Sequence, residues 1–145
     1  MEDTSPIQRV LLATDLSAVS AKAAEDAIRL AIEHRAQLIV MSVVDTNRLR
    51  LPGGRFLRRV DQERARIEER AQELVKRARD AGARATFLVW EGDPAEAVLE
   101  AADAESADVI VLGSHGRGRL GRMILGSTSK RVTEGARCPV LVVRS

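Results

Sequence analysis

Residues 113–128 read GSHGRGRLGRMILGST, a basic stretch with glycine at Gly113, Gly116, Gly118, Gly121 and Gly126, set directly behind the apolar run Val109, Ile110, Val111 and Leu112. Glycine lets a backbone turn sharply and lets its N–H groups come close to an anion, and the helix expected from about Ser127 would add unpaired N–H groups and a positive dipole end. The chemistry this outlines is phosphate binding. No Asp or Glu stands between Gly113 and Arg131, whereas Arg117, Arg119, Arg122, Lys130 and Arg131 lie in or just after the loop. Guanidinium groups near a polyphosphate would strengthen its capture and speed its association, although part of this charge reads as a solvated basic face.

Two better-known phosphate signatures overlap the stretch, and neither fits its context. Gly116-x-Gly118-x-x-Gly121 has the spacing of a dinucleotide fingerprint, which belongs after the first strand of its unit with an acid about twenty residues on. Here the next strand runs into Arg144 and Ser145. Gly121-x-x-x-x-Gly126-Ser127-Thr128 approaches a Walker A loop, but Ser127 stands where the phosphate-binding lysine is needed.

The elements that must position the loop are legible from periodicity. Residues 9–14, 38–44, 83–91, 108–112 and 139–143 are short and largely apolar, as strands buried on both faces of a parallel sheet are. Helical patterns separate them. Ser17 is expected to cap a first helix with an apolar stripe of Ala21, Ala24, Ile28 and Ala31, ending near His34. A long helix carries Ile67, Ala71, Leu74 and Ala78 and stops at Gly82. Asp93, Pro94 and Glu96 combine a capping carboxylate, proline at the first helical position and an acid three residues past the cap. Alternation of this kind predicts an α/β fold, a single domain over residues 1–145 with an open parallel sheet and helices on both faces.

With those elements in place, the spacing Gly113-x2-Gly116-x9-Gly126-Ser127, together with Ala13-Thr14-Asp15-Leu16-Ser17 at the end of the first strand, resembles the nucleotide-binding branch of the universal stress protein family. The resemblance covers essentially the whole chain. It implies a Rossmann-like five-stranded sheet in the order 3-2-1-4-5, with ATP bound across the carboxyl ends of strands 1 and 4. Physical reasoning points to the same place, because ligands of open α/β sheets settle where crossovers diverge to opposite faces. By the match, backbone amides of Gly113, Gly116 and Gly126 with the Ser127 hydroxyl hold the phosphates. Ala13, Thr14 and Asp15 serve the ribose or adenosine side, and the backbone at Met41 meets the adenine. Asp15 is also a candidate for indirect contact with Mg²⁺. Arg117, Thr128 and Ser129 supplement the phosphate site. The resemblance further implies a nucleotide-dependent regulator of the stress response and a homodimer paired along Val140, Leu141, Val142 and Val143, an apolar edge that Pro139 and Arg144 could otherwise protect in a monomer.

Several residues carry an ordinary reading beside the functional one. Asp15 could be a strand-end turn residue that caps locally. His115 reads as a solvated loop side chain, Gly118, Gly121 and Gly135 as loop and helix-end glycines, and His34 and Cys138 as residues without chemistry. Arg48, Arg50, Arg55, Arg58 and Arg59 form a second acid-free cluster, in an irregular stretch that is either a flap over the site or a surface connection.

Bulk properties narrow the classes further. The 145 residues carry 23 Lys and Arg against 21 Asp and Glu, a formal charge of +2, so a nucleic-acid partner is not expected; at 2% aromatic content there is no stacking platform either. One cysteine excludes an internal disulfide framework, and no apolar run approaches a membrane span, so a cytoplasmic protein with no membrane partner is expected. Hydrolysis of ATP would need an oriented water, a metal clamp and charge stabilisation, and only the arginines are evident. The expectation is therefore a binding protein with at most slow turnover. A slow nucleotide-processing enzyme and an interaction module without ATP are the alternatives.

Overall fold

A computed structural model of the chain describes residues 7–114 and 126–144. Five strands, β1 (Arg9–Ala13), β2 (Gln37–Asp45), β3 (Arg84–Gly92), β4 (Val109–Gly113) and β5 (Val140–Val143), form one parallel sheet in the order β3-β2-β1-β4-β5. This is the expected order of an open α/β sheet. Along each strand successive side chains enter opposite layers. Val10, Leu12, Leu38, Val40 and Val111 meet α1 (Ala21–His34) and α3 (Phe56–Asp80), while Leu11, Ile39, Met41, Ile110 and Leu112 meet α4 (Pro94–Ala104) and α5 (Ser127–Gly135). The central strands are apolar on both sides because both layers cover them.

The two helix layers divide where the site must lie. The chain leaves β1 through α1 toward one face and leaves β4 toward α5 on the other, yet β1 and β4 are neighbours with Ala13 opposite Leu112. Among the described residues, a cleft remains at their carboxyl ends. Asp108 fixes the opposite end, accepting the amides of Gln8 and Arg9 on one carboxylate oxygen at 2.9 Å each.

Local departures from the sequence reading have identifiable causes. Ser17 does not cap α1: a 3-10 turn over Ala18–Ser20 intervenes, and neither Ser17 nor Ser20 makes a side-chain cap bond. Asp15 organises the turn ahead of the helix, accepting the Ser17 amide at 2.9 Å and the Ser20 hydroxyl at 3.0 Å. The buried stripe of α1 is accordingly Ala23, Ala24, Ala27 and Ala31, with Ala21 exposed. The arginine-rich stretch is also less irregular than expected. Thr46–Leu49 form a short helix, α2, capped by Asp45, and α3 begins at Phe56, so only residues 50–55 lie outside helices. Gly82 ends α3 as expected, at φ +107°.

Helices α4 and α5 are joined closely. A β-carbon on Gly135 would stand 2.8 Å from Leu99 Cδ1, so this glycine permits the approach. Asp93 Oδ2 accepts the Glu96 amide at 3.0 Å, and Arg131 of α5 donates to the same carboxylate. These two bonds, the amide first, hold the Asp93 carboxyl below its ordinary value.

A group whose folded pKa is depressed contributes stability above the ordinary carboxylate range and loses it as pH falls through that range toward the folded value. Asp93→Ala should therefore cost about 1 kcal/mol at neutral pH, with the deficit shrinking below about pH 4. Urea unfolding at several pH values checks this, and Asp93→Asn, which keeps a capping oxygen, should lose less at neutral pH.

Candidate functional site

The parted crossovers leave a cleft of about 680 Å³ at the carboxyl ends of β1, β2 and β4. Ala13, Thr14 and Asp15 form one wall with Met41, Ser42 and Val43; Gly113, Gly126, Ser127, Thr128 and Ser129 form the other. The structure thus brings together every site residue expected from the sequence that falls among the described residues. Gly116 and Arg117, with His115, Gly118 and Gly121, lie outside them.

The phosphate side is built on the start of α5. Gly126 occupies the N-cap position with φ −62° and ψ 159°, and having no side chain it cannot cap the helix. The first helical bond runs from Lys130 N to Gly126 O at 3.0 Å, which leaves the amides of Ser127, Thr128 and Ser129 without an intrahelical acceptor. Those donors border the cleft. The Gly126 amide itself, expected as a phosphate donor, is committed within the protein, donating to Ser114 O at 2.8 Å. An added β-carbon would meet only Ser114 O, at 3.6 Å, an ordinary van der Waals contact, so the protein itself leaves room there.

Ser129 differs from its neighbours. It is buried, and its hydroxyl donates to Gly113 O at 2.7 Å, tying the helix start to the end of β4. Ser127 and Thr128 are exposed, with hydroxyls placed at the cleft rim. Ser129 therefore holds the site in shape, while Ser127 and Thr128 present chemistry to it.

On the opposite wall the main chain turns tightly. Leu16 has φ +63°, a left-handed conformation costing a leucine on the order of 1 kcal/mol, and its amide is held by Thr14 Oγ1 at 3.0 Å. Asp15 Oδ1 accepts from Ser17 and Ser20, so the local turn role is real, and the same carboxylate lines the cleft. Strain stored beside a cleft, rather than in a remote loop, is characteristic of functional positions.

Met41 stands where the ladder between β1 and β2 ends. Its side chain is fully buried, and its carbonyl accepts from Thr14 N at 3.0 Å, the last bond of the β1–β2 ladder. Alternation along a parallel ladder directs the main-chain groups of Val43 to the same side as those of Met41. β1 stops at Ala13 while β2 runs on to Asp45, so Val43 presents its main-chain edge to the cleft beyond the end of β1. Register, absent from the sequence alone, thus separates the two residues: the Met41 carbonyl is taken up by the ladder, and Val43 lies at the cleft edge.

Sequence reasoning also missed the far wall, formed by Arg48 and Leu49 of α2, Glu63 and Ile67 of α3, and Val98 of α4. Ile67 and Val98 were legible as buried helix positions but not as cleft lining. A partly apolar wall of Leu49, Ile67 and Val98, with Arg48 and Glu63 beside it, faces a polar helix start, and such a mixed lining can take a nucleobase joined to a phosphate chain. The fit for a metal is narrower. Among the described residues no group of three or more His, Cys, Asp or Glu side chains could hold an ion. Mg²⁺ commonly binds through one or two carboxylates with phosphate oxygens and waters, so Asp15 is compatible with a metal that arrives with its nucleotide.

Ser129→Ala should destabilise the fold by about 1 kcal/mol, because the Gly113 carbonyl loses a buried partner. Gly126→Ala should leave stability nearly unchanged, given the room at its β-carbon. Thermal unfolding of both variants reads the contrast.

Known proteins agree with this architecture. The sequence model of the universal stress protein family matches residues 6–144. Universal stress protein MJ0531 of Methanocaldococcus jannaschii is 34% identical over 142 residues, covering 94% of this chain and 82% of that one. The universal stress protein UspA from Lactobacillus plantarum superposes with a TM-score of 0.86 at 23% identity, over 97% of this chain and all of the other, a likeness of fold. A universal stress protein crystallised in complex with cAMP has a TM-score of 0.73 at 28% identity, covering 97% of this chain and 98% of that one. From its β1-to-β4 cleft to its full-length sequence match, the chain belongs to the universal stress protein family.

Proposed function

We propose that this protein binds ATP with Mg²⁺ in the cleft between β1 and β4 and acts as a nucleotide-dependent regulator of the stress response. The observation that carries the reading is the uncapped start of α5: three amides with no helical acceptor, behind a glycine that leaves room for an anion. The amides of Ser127, Thr128 and Ser129, with the hydroxyls of Ser127 and Thr128, hold the phosphates; Gly113, Gly116 and Arg117 complete that side. Thr14 and Asp15 face the ribose, Val43 offers its main-chain edge to the base, and Ile67 and Val98 enclose the ring. Bound metal would neutralise phosphate charge, with Asp15 as its protein contact.

The proposed activity is binding, with hydrolysis slow at most. Fixed amides stabilise a bound anion in its ground state, and only interactions that strengthen in the transition state accelerate a reaction. The cAMP complex of a relative favours a second ligand of the same chemistry, an adenine nucleotide with a single phosphate.

Calorimetric titration with ATP, ADP, AMP and cAMP distinguishes these ligands. Saturable ATP binding is expected, with a thermal shift reflecting about 2.7 kcal/mol at a hundred times the Kd. Gly126→Val, whose methyls would point where the anion sits, should abolish it while the unfolding midpoint stays near wild type. Undiminished affinity in that folded variant would remove the site assignment.

Assembly through β5 belongs to the same reading. β5 is an edge strand whose Leu141 is 42% exposed, and an apolar edge is relieved by pairing with a second copy. Sedimentation equilibrium should return a dimer for wild type and a monomer for Leu141→Arg.

A further inference from the structure

The elbow between β2 and α3 carries a surface that nucleotide binding does not use. Leu57 is 75% exposed and Leu51 54%, the two most exposed of the large apolar side chains among the described residues. They flank Gly53 and Gly54, both at positive φ, which turn the chain between α2 and α3. Residues 46–60 also contain five arginines and no carboxylate. Elsewhere arginines such as Arg9, Arg64 and Arg131 pair with acids, but among the described residues none of Arg48, Arg50, Arg55, Arg58 and Arg59 does. Two of the five fasten the elbow: Arg50 lies over the Phe56 ring at 4.5 Å, and Arg59 donates to Gly54 O at 2.8 Å. Arg55 and Arg58 are exposed beside the leucines.

We propose that this elbow docks the protein on an anionic lipid surface, with Leu51 and Leu57 entering the headgroup boundary and the arginines engaging lipid phosphates. A single-sign cluster carrying protruding aliphatic side chains matches such a surface, which offers diffuse negative charge and hydrocarbon within reach. Leucine prongs contribute nothing on a nucleic-acid backbone, and the elbow exposes no ring for stacking. A soluble acidic protein would need a preformed apolar pocket for each leucine, whereas a bilayer needs none. No helix among the described residues is long and apolar enough to cross a membrane, so the attachment is peripheral. Arg48 and Leu49, at the base of the elbow, line the cleft, which places lipid contact next to the ligand.

The test is flotation of the full chain with vesicles of phosphatidylcholine alone and of phosphatidylcholine with one third phosphatidylglycerol. Binding to the anionic vesicles only is expected, and salt should reverse it. Arg55→Gln with Arg58→Gln should weaken partitioning about fivefold per arginine. Leu51→Ser with Leu57→Ser should also release the protein, and both double variants should keep the wild-type unfolding midpoint. Absence of binding to anionic vesicles at low salt overturns the proposal, as does binding that neither pair of substitutions weakens. Loss in the arginine variant alone, with equal competition by soluble polyglutamate, overturns it in favour of an acidic protein partner.

Discussion

The rest of the structure follows from the divergence of two crossovers. β1 and β4 are paired through Val10 to Ala13, yet the chain continues from β1 over one face and from β4 over the other. Among the described residues neither helix layer lies over the carboxyl end of the other strand. A strand end, a tight turn and a helix start therefore meet there, and the first amides of α5 have no acceptor within their own helix. Burying such groups without partners costs about as much as losing a hydrogen bond each, so the fold supports them only where water or a ligand reaches. The cleft is a consequence of topology before it is a matter of side chains.

Within that gap, hydrogen bonds decide which groups are presented. Gly126 N to Ser114 O and Ser129 Oγ to Gly113 O fasten α5 to the end of β4, one bond on each side of the amides of Ser127 and Thr128. Both fastening bonds use groups that the glycine pattern alone would assign to a ligand. The value of glycine at 126 lies in the missing side chain, which keeps the helix uncapped and the approach open, more than in conformational freedom: its φ of −62° suits any residue. Across the cleft, the Asp15 turn performs the corresponding task for β1 at the expense of a left-handed Leu16.

The same physics explains what could be read from the residues and what could not. The strands and their two covering layers were legible because buried parallel strands must be apolar on both faces, and the runs at 9–14, 38–44 and 108–112 are; the strand order came from the family resemblance. The α4 cap was legible because Asp93, Pro94 and Glu96 act within one turn. Ser17 misled because a 3-10 turn over Ala18–Ser20 follows it and α1 starts only at Ala21, which leaves Ser17 ahead of the cap position. The beginning of α3 was obscured by arginines and leucines whose solvent-facing positions leave no apolar period. Met41 and Val43 could not be separated without knowing that β2 outruns β1, a fact of register rather than composition.

Arrangement of the carboxylates argues for holding over turnover in the proposed site. Asp15 accepts the Ser17 amide and the Ser20 hydroxyl, and Asp45 accepts the amides of Asn47 and Arg48 while capping α2. Each is oriented by the bonds it accepts, and both serve to shape the walls of the cleft. A general base for water must instead be free to take a proton and to reorganise as charge develops. The donors at α5 are likewise fixed before any ligand arrives, an arrangement that lowers the ordering cost of binding and therefore favours affinity. Glu63, the third acid on the lining, pairs with Arg66 on its own helix, so among the described residues all three acids of the cleft are engaged by neighbours, as suits the proposed role of holding a nucleotide.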